Sequence, residues 1–518
     1  QAGNLLAKQR PESQIFPPEE KSAGSKVSPC TNLTVGKFCM DTCNLHPQRI
    51  YYYESGKGGK EMGREGIIIG AGASGLMAAI TAAQRGASVT VLEHMPRPGK
   101  KILATGNGKC NLTNLQLDSS CYRCSSPDFP MNIINAFPVS RTLRFFRGLG
   151  ILTIEKNGYV YPASEEAKSV LSALLSKAEE LGVRLITDCR VLKAEKTGSL
   201  FEVTTGMGIF RGDFLILAAG SMAAKFTGSD GSGYELAKGF GHRVLTPLPA
   251  LVQLRCRESF FPSLAGVRTQ ASVALYASEA PVSGKAGPDK RHQNGQAQKG
   301  RFAESRLTEK TRGSNRQEKK RFGRFIACDR GELQLTEYGI SGIPVFQVSR
   351  YASFALCEGK QVTAVLDFFP SKGQKDLIQI LREQQEYLKF QKCSGFLDGI
   401  FHKKLADVLL KEAGIRPEAK IEQLKEQDLL RLASLIKEFP VTVTAANSYD
   451  QAQVCMGGVD LSQVTKETLE SRLVPGLYFA GEILDVDGIC GGYNLQWAWS
   501  SGHAAGWAAA GKKNSRYR

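Results

Sequence analysis

The sequence predicts a multidomain α/β protein, and three features of the chain support this fold class. With 518 residues, the chain is too long for one hydrophobic core, so two or three domains are expected. A strand near residue 67 leads through glycines into a helix and a second strand, a βαβ opening typical of a parallel sheet. Short alternating strands follow residue 245, and helical spacing covers residues 375–437.

The first 62 residues are polar, rich in proline and without hydrophobic periodicity. We expect residues 1–62 to form a disordered leader, with Met62 as a natural start for the folded unit. No secretory signal pattern opens the chain, and the 13 cysteines are an odd count, which favours reduced thiols in the cytoplasm. Cys121 and Cys124 have CxxC spacing without a second half, so no metal site is expected.

The net charge of +17 is concentrated in one segment. Lys285 to Arg324 holds 13 lysines and arginines against four acids and has no apolar periodicity. This composition predicts a disordered basic insertion, with a nucleic-acid-binding tail as the weaker alternative.

The apolar run from Gly66 to Ala83 is not expected to be a transmembrane helix. It contains four glycines, and their spacing is better explained by the dinucleotide-binding turn described below. We therefore expect a small-molecule substrate and neither a nucleic-acid nor a membrane partner, and the oligomeric state stays open.

A dinucleotide-binding turn follows the strand Ile67–Ile69. Gly70 permits a tight turn, Gly72 lets the backbone approach a pyrophosphate, and Gly75 lets helix and strand pack closely. Free N–H groups at the helix N-terminus, next to Ala73 and Ser74, suit phosphates. Glu93 ends the second strand, where a carboxylate accepts hydrogen bonds from ribose hydroxyls, which favours FAD or NAD over a 2′-phosphate.

A second motif near the C-terminus favours FAD over NAD. The strand from Gly476 leads into Gly481 and Glu482, an arrangement that places a carboxylate near a ribityl chain. Gly491 and Gly492 then open a helix, so their N–H groups are expected to face the flavin pyrimidine edge, where negative charge develops on reduction.

Four further segments, together with these motifs, resemble the BaiN/YhiN-like flavoproteins: Pro98–Asn114, Thr227–Tyr234, Thr336–Gly342 and Gly481–Gly502. The resemblance covers the chain from about residue 64 onward. It implies a discontinuous Rossmann-type FAD-binding domain, an inserted β-barrel-like domain and a helical subdomain. The domains expected on this basis are FAD binding at 63–243 and 441–518, a β-rich middle domain at 244–372 with its disordered insertion at 279–324, and helices at 373–440.

The resemblance also implies site residues. It places Asn107, Lys109, Cys110 and Asn111 near the flavin ring. The sequence departs from the family at two positions, where Lys109 replaces a frequent arginine and Tyr338 replaces a frequent histidine. Without a partner cysteine at CxxxxC spacing, Cys110 is expected to pack or make polar contacts rather than form a redox disulfide. Further cofactor contacts are expected from Lys101, Gly106, Gly108, Ala219, Gly220, Asp487, Tyr493 and Asn494.

The resemblance further implies an activity, for which we expect reduction of a conjugated carbon–carbon double bond in a hydrophobic ketone, such as a 3-oxo-4-ene bile acid. NADH or NADPH would serve as a transient electron donor, because the chain shows only one dinucleotide fingerprint. Candidate catalytic hydrogen-bond donors are Asn107, Lys109, Asn111 and Tyr338. Two alternatives stay open: a flavin amine oxidase acting on a small aminoketone, and a noncatalytic flavin-binding or redox-sensing protein.

Overall fold

The computed structural model describes residues 63–279 and 321–511. The predicted leader at 1–62, most of the predicted basic insertion (280–320) and residues 512–518 lie outside the described residues. The prediction of disorder is wrong for the end of that insertion, residues 321–324. Arg324 pairs with Ala277 in an antiparallel ladder and begins a strand, and the ring of Phe322 just before it packs on Tyr276.

Strands and helices alternate in the first part of the described chain and are mixed with longer strands after residue 244. The strands of the described residues are β1 (Glu65–Ile69), β2 (Ser88–Leu92), β3 (Thr113–Asn114), β4 (Tyr122–Cys124), β5 (Thr153–Lys156), β6 (Tyr159–Pro162), β7 (Arg184–Ile186), β8 (Val191–Thr197), β9 (Leu200–Thr205), β10 (Gly208–Gly212), β11 (Phe214–Leu217), β12 (Val244–Ala250), β13 (Leu254–Cys256), β14 (Arg268–Ser278), β15 (Arg324–Thr336), β16 (Gly339–Gly342), β17 (Gln361–Asp367), β18 (Phe439–Ala446), β19 (Val454–Val459), β20 (Leu477–Phe479) and β21 (Val486–Gly488).

Helices cover the sheets and form a separate group near residue 400. The α-helices of the described ranges are α1 (Ala73–Gln84), α2 (Lys100–Ala104), α3 (Phe129–Ala136), α4 (Val139–Gly148), α5 (Ala167–Glu180), α6 (Ser232–Gly239), α7 (Phe261–Leu264), α8 (Ile343–Cys357), α9 (Gln374–Leu388), α10 (Lys403–Glu412), α11 (Glu426–Lys437) and α12 (Tyr493–Ala509).

A five-stranded parallel sheet has the order β20-β11-β1-β2-β7. Ile67 and Ile68 are buried in β1, as expected for a strand covered on both faces. Helices α1 and α12 pack closely because α12 carries glycines at the contact: a Cβ on Gly502 would lie 2.4 Å from the Ser74 carbonyl oxygen. Since β20 and α12 come from the end of the chain, this Rossmann-type unit is discontinuous, which confirms the predicted fold class.

A closed six-stranded barrel has the order β13-β16-β15-β14-β17-β18. Its strands alternate between buried and partly exposed residues, as in β14, where Ala271, Val273 and Leu275 are buried. Strand β18 closes the barrel, so residues 441–446, which the sequence analysis placed with the Rossmann-type unit, pair with β13 and β17 instead. No separate sequence signal marks this boundary, since β18 is one more short apolar strand.

The helices α9, α10 and α11 share a hydrophobic core with the barrel. Leu377, Leu405 and Leu432 from these helices are buried in the same cluster as barrel residues such as Leu254 and Val273. The helical subdomain expected at 373–440 is therefore a layer on the barrel, because its amphipathic helices bury their apolar faces against it.

Candidate functional site

The turn between β1 and α1 is organised by Glu93, which follows β2. One carboxylate oxygen of Glu93 accepts the Ala71 N–H at 2.9 Å, and the other accepts the Met95 N–H at 2.8 Å. Helix α1 starts after Gly72, and no side chain caps its first N–H groups. These N–H groups and the positive end of the helix dipole are available to an anion such as a pyrophosphate.

The three glycines of this turn occupy different environments. Gly70 has a φ of +101°, and a Cβ there would lie 2.6 Å from the Ala218 carbonyl oxygen. A Cβ on Gly75 would lie 1.9 Å from the Gly70 carbonyl oxygen. A Cβ on Gly72 would meet no atom within 4 Å, and its φ of −83° suits any residue. The fold therefore requires glycine at positions 70 and 75, whereas at Gly72 a side chain would have open space around it.

The turn lines a cavity of about 700 Å³. This volume lies within the roughly 300–1,000 Å³ of small-molecule and cofactor sites. Most of the predicted site residues line it: Gly70, Gly72, Ala73, Ser74, Glu93, Lys101, Gly106, Asn107, Asn111, Ala219, Gly220, Glu482, Gly491, Gly492 and Asn494. The structure thus brings both ends of the predicted dinucleotide site to one cavity.

Lys101 and Glu482 meet on the cavity wall. The Lys101 ammonium group lies 2.5 Å from Oε2 of Glu482, and the Ser221 hydroxyl donates to the same oxygen at 3.1 Å. About a quarter of the Lys101 side chain is exposed. The predicted acid near the ribityl chain is therefore paired with a cation from α2, and both groups face the cavity.

The turn before α12 is held by two asparagines. In the orientation that satisfies its hydrogen bonds, the Asn111 amide donates to the carbonyl oxygens of Val160 and Thr113 at 3.2 and 2.9 Å and accepts the Gly492 N–H at 3.2 Å. Asn494 donates to the Gly488 carbonyl oxygen at 2.9 Å and accepts its N–H at 2.8 Å. Asn111, a predicted catalytic donor, and the Gly492 N–H, predicted to face the flavin, are thus engaged with each other.

Asp487, a predicted cofactor contact, lies in a buried ion pair instead. Arg350 of α8 donates to both carboxylate oxygens, from Nε at 2.9 Å and from Nη2 at 3.0 Å. The Asp487 side chain is 3% exposed, and neither residue lines the cavity. A bidentate guanidinium satisfies a buried carboxylate, so Asp487 joins the barrel to the Rossmann-type unit.

Lys109 and Tyr338, two predicted catalytic donors, also lie off the cavity. The Lys109 ammonium group lies 2.9 Å from Oε2 of Glu165, which also pairs with Lys156. Half of the Lys109 side chain is exposed. Tyr338 lies in the turn between β15 and β16, with the Arg255 guanidinium 5.1 Å from its ring centre. Of the four predicted donors, Asn107 and Asn111 reach the cavity.

The remaining predicted contacts support the fold around the cavity. Cys110 is fully buried, and burial raises the pKa of its thiol to about 12, so it remains protonated and packs in the core. The Tyr493 hydroxyl donates to the Gln116 carbonyl oxygen at 2.8 Å. The predicted residues absent from the cavity lining are Gly75, Gly108, Lys109, Cys110, Tyr338, Gly481, Asp487 and Tyr493.

Two tyrosines of the cavity were missed by the sequence analysis. Tyr159 and Tyr161 lie on one face of β6, and both line the cavity. A Cβ on Gly491 would lie 2.9 Å from the Tyr159 ring, and one on Gly106 would lie 3.7 Å from the Tyr161 ring. Their i, i+2 spacing in a hairpin is a detectable signal, because alternate residues of a strand share a face.

An apolar wall was also missed. Leu251 and Val454 are buried side by side, Phe346 packs on them, and all three line the cavity together with Ile343. Leu251 has a φ of +50°, which is rare for a residue other than glycine and is found at functional sites. Leu251 directly follows β12, and the other residues belong to α8 and β19. In the sequence they look like ordinary core residues, so only the fold brings them together.

Within the described ranges, no group of three or more histidine, cysteine or acidic side chains could hold a metal ion. Over the same residues, no helix is long and apolar enough to cross a membrane.

Comparison with known proteins assigns the family. Residues 64–508 match the HI0933-like protein Rossmann domain. The chain belongs to the HI0933-like family. It is 41% identical over 455 residues to the 3-dehydro-bile acid delta(4,6)-reductase of Clostridium scindens, across 87% of this chain and 99% of that protein. It is 28% identical over 446 residues to the ribosomal RNA dihydrouridine synthases of Escherichia coli (86% of this chain, 97% of that protein) and Haemophilus influenzae (85% and 97%).

These relationships confirm the predicted family resemblance. They also establish the chain as an enzyme, an oxidoreductase of the flavoprotein class.

Proposed function

We propose that this protein is an FAD-dependent reductase that saturates a carbon–carbon double bond conjugated to the carbonyl of a hydrophobic ketone, with NADH or NADPH as electron donor. One observation carries the proposal: a single cavity of about 700 Å³ joins the dinucleotide turn to the apolar wall of Leu251, Phe346 and Val454. The turn suits the cofactor, and the wall suits a large apolar substrate.

The cavity has the donors and the space that FAD needs. The open position at Gly72 and the uncapped N-terminus of α1 would receive the pyrophosphate, and Glu93 faces the same cavity for the ribose. Helix α12 also begins without a side-chain cap, so its positive end would favour a reduced, anionic ring system. When bound, FAD supplies the hydride chemistry, and these residues hold and orient it.

The names of the relatives support one type of reaction. A delta(4,6)-reductase of a 3-dehydro-bile acid removes double bonds conjugated to a ketone, and a dihydrouridine synthase removes the ring double bond of uridine, which is also conjugated to a carbonyl. In both reactions hydride adds to the carbon β to the carbonyl, and the developing charge on oxygen requires stabilisation.

Charge and polarity favour the ketone over RNA as the substrate. Residues 63–284 and 325–511 together hold 42 lysines and arginines against 40 acids, whereas proteins that bind RNA use a cationic surface. The basic segment at 285–324 is the feature that favours the RNA alternative.

The amine-oxidase alternative has one supporting observation, since two aromatic residues of β6, Tyr159 and Tyr161, line the cavity. The ammonium groups of Lys109 and Lys156, however, act electrostatically on Tyr161. Both lysines pair with Glu165, which leaves one net positive charge near Tyr161, and this charge disfavours a positively charged amine substrate.

The test mixes the FAD-loaded protein with NADH and a 3-oxo-4-ene steroid without oxygen and follows the enone absorbance. We expect loss of the enone, and faster loss than that of uridine in an RNA oligonucleotide. Persistence of the enone while a small aminoketone and oxygen yield peroxide would establish the oxidase instead. Preferential reduction of uridine would establish the RNA alternative.

A matched pair of variants tests the apolar wall. Phe346→Ala removes a ring from the wall, and Phe390→Ala removes an exposed ring from the helical layer. Because truncating a pocket residue costs about 1–3 kcal/mol of binding, Phe346→Ala should raise KM for the steroid about 10- to 100-fold and leave KM for cyclohexenone nearly unchanged. Equal effects on the two ketones, or equal effects of the two variants, would contradict the role of the wall.

A further inference from the structure

We propose that Tyr161 is the proton donor of the reduction, delivering its phenolic proton to the carbon next to the substrate carbonyl. This inference rests on the proposed function, because it identifies the acid in that reaction. In the complete step, hydride supplied by the reduced cofactor bonds to the β-carbon, and the double-bond electrons move toward the carbonyl. The O–H bond of Tyr161 then breaks, a C–H bond forms at the α-carbon, and water reprotonates the phenolate.

Comparison of the proton-bearing groups of the cavity favours the tyrosines. Arg97 and Ser229 also line the cavity, but a guanidinium does not lose its proton in proteins and an aliphatic hydroxyl is a much weaker acid than a phenol. The Lys101 ammonium group is paired with Glu482, and Lys100 donates to the Phe226 carbonyl oxygen at 2.9 Å. The hydroxyl groups of Ser74, Thr105 and Thr227 donate to backbone carbonyl oxygens. Among the described residues, the hydroxyl groups of Tyr159 and Tyr161 make no hydrogen bond, so their protons are available to a substrate.

Cys490 contributes a thiol to the cavity wall. Burial, together with the negative charge of Asp329, raises the pKa of its thiol to about 12. A thiolate left there after proton transfer would be buried near a carboxylate, which disfavours Cys490 as the acid.

Tyr161 has the charges that a proton donor needs. Its surroundings are Tyr159 on the same strand, Lys109 after α2, and Lys156 and Glu165 at the two ends of the hairpin. Burial raises the pKa of Tyr161, so the phenol keeps its proton until substrate is bound. Lys109 and Lys156 act in the opposite direction and stabilise the phenolate, and the single charge of Glu165 only half offsets them.

This arrangement explains why Lys109 lies beside the cavity and not in it. The Lys109–Glu165 pair holds the loop after α2 against the β5–β6 hairpin and keeps a cation close to Tyr161. Lys109 is then a positioning residue that acts through Tyr161.

The test separates the two half-reactions in Tyr161→Phe, with Tyr387→Phe, an exposed tyrosine of α9, as the control. General acids contribute about 10²- to 10⁴-fold. Tyr161→Phe should therefore slow ketone-dependent reoxidation of the flavin at least about 100-fold. The FAD content, the rate of anaerobic flavin reduction by NADH and the substrate Kd from flavin absorbance should stay at wild-type values, and wild-type reoxidation should slow in D₂O.

The other variants keep the proposal falsifiable. Lys109→Met with Lys156→Met should also slow reoxidation, less than Tyr161→Phe, and these exposed substitutions leave the core intact. A wild-type rate of flavin reoxidation in Tyr161→Phe would overturn the assignment. Loss of reoxidation in Tyr159→Phe but not in Tyr161→Phe would overturn it as well. Failure of the wild-type protein to reduce any conjugated ketone would instead overturn the proposed function, so the two failures are distinguishable.

Discussion

At the scale of single residues, the structure separates glycines that serve the fold from a glycine that serves the ligand. Gly70 and Gly75 lie so close to neighbouring backbone that a side chain would clash. Gly72 has neither a crowded environment nor a positive φ. Its missing side chain matters only when a group occupies the cavity beside it.

We expect Gly72→Val to abolish FAD retention without unfolding the protein. The added side chain would enter the space reserved for the pyrophosphate, whereas the backbone at this position accepts any residue. Flavin absorbance and thermal unfolding of the purified variant measure the two effects. Gly75→Ala is the matched comparison, and it should lose stability because its Cβ would lie 1.9 Å from a carbonyl oxygen. Normal FAD content in Gly72→Val would contradict the site.

At the scale of elements, α8 connects the substrate wall to the Rossmann-type unit. Ile343, Phe346 and Arg350 follow helical spacing, so they share one face of α8. The first two line the cavity, and the third binds Asp487 of β21. The Gln347 side chain also accepts the Cys490 N–H at 3.0 Å. The apolar wall of the cavity and the ion pair between the barrel and the Rossmann-type unit thus both depend on helix α8.

We expect Arg350→Met to destabilise the protein by about 3–5 kcal/mol, because it leaves a buried carboxylate unpaired. This loss of stability should grow as pH rises, because Arg350 also acts on nearby Asp485. Burial raises the pKa of Asp485 to about 6, and the charge of Arg350 opposes this shift. A carboxyl group whose pKa is higher in the folded than in the unfolded protein stabilises the fold while it is protonated. For Asp485, this stabilisation is lost as the pH rises through about 6. Urea unfolding at pH 5 and pH 8 measures both effects.

The double variant Arg350→Met/Asp487→Leu is the control for this pair. Replacing both partners with apolar groups should recover much of the lost stability. A single variant as stable as the wild type would show that the ion pair does not join the two units.

Sequence patterns predicted the elements well where they were local. The turn from Gly70 to Gly75 and its acid at Glu93 were identified because their spacing encodes one loop and the strand beside it. Asp487 was misplaced because its partner, Arg350, lies 137 residues away in the chain. The apolar wall was missed for the same reason, since Leu251 and Val454 meet only after the fold forms.

At the scale of the whole molecule, the Rossmann-type unit and the barrel are interleaved along the chain. Strand β12 pairs with β19, and the chain between them passes through the barrel and its helical layer. The sequence showed where the pattern of elements changes, but not that β18 closes the barrel. Closure is a property of all six strands together, which no single segment carries.

The last prediction concerns the basic segment, of which residues 280–320 lie outside the described residues. Its ends leave and re-enter the barrel at adjacent strands, because Ala277 of β14 pairs with Arg324 of β15. A short Gly/Ser bridge in place of residues 281–319 can therefore close the same hairpin. Residues 321–324 must be kept, since Phe322 packs on Tyr276.

We expect this deletion to leave FAD content, thermal midpoint and ketone reduction nearly unchanged, because a segment of this composition buries little apolar surface. A matched deletion of equal length within the helical layer should unfold the protein, since its leucines belong to the barrel core. Loss of ketone reduction after removal of 281–319 would place the segment in the substrate site. Unchanged ketone reduction with lost activity on an RNA oligonucleotide would assign its positive charge to RNA binding.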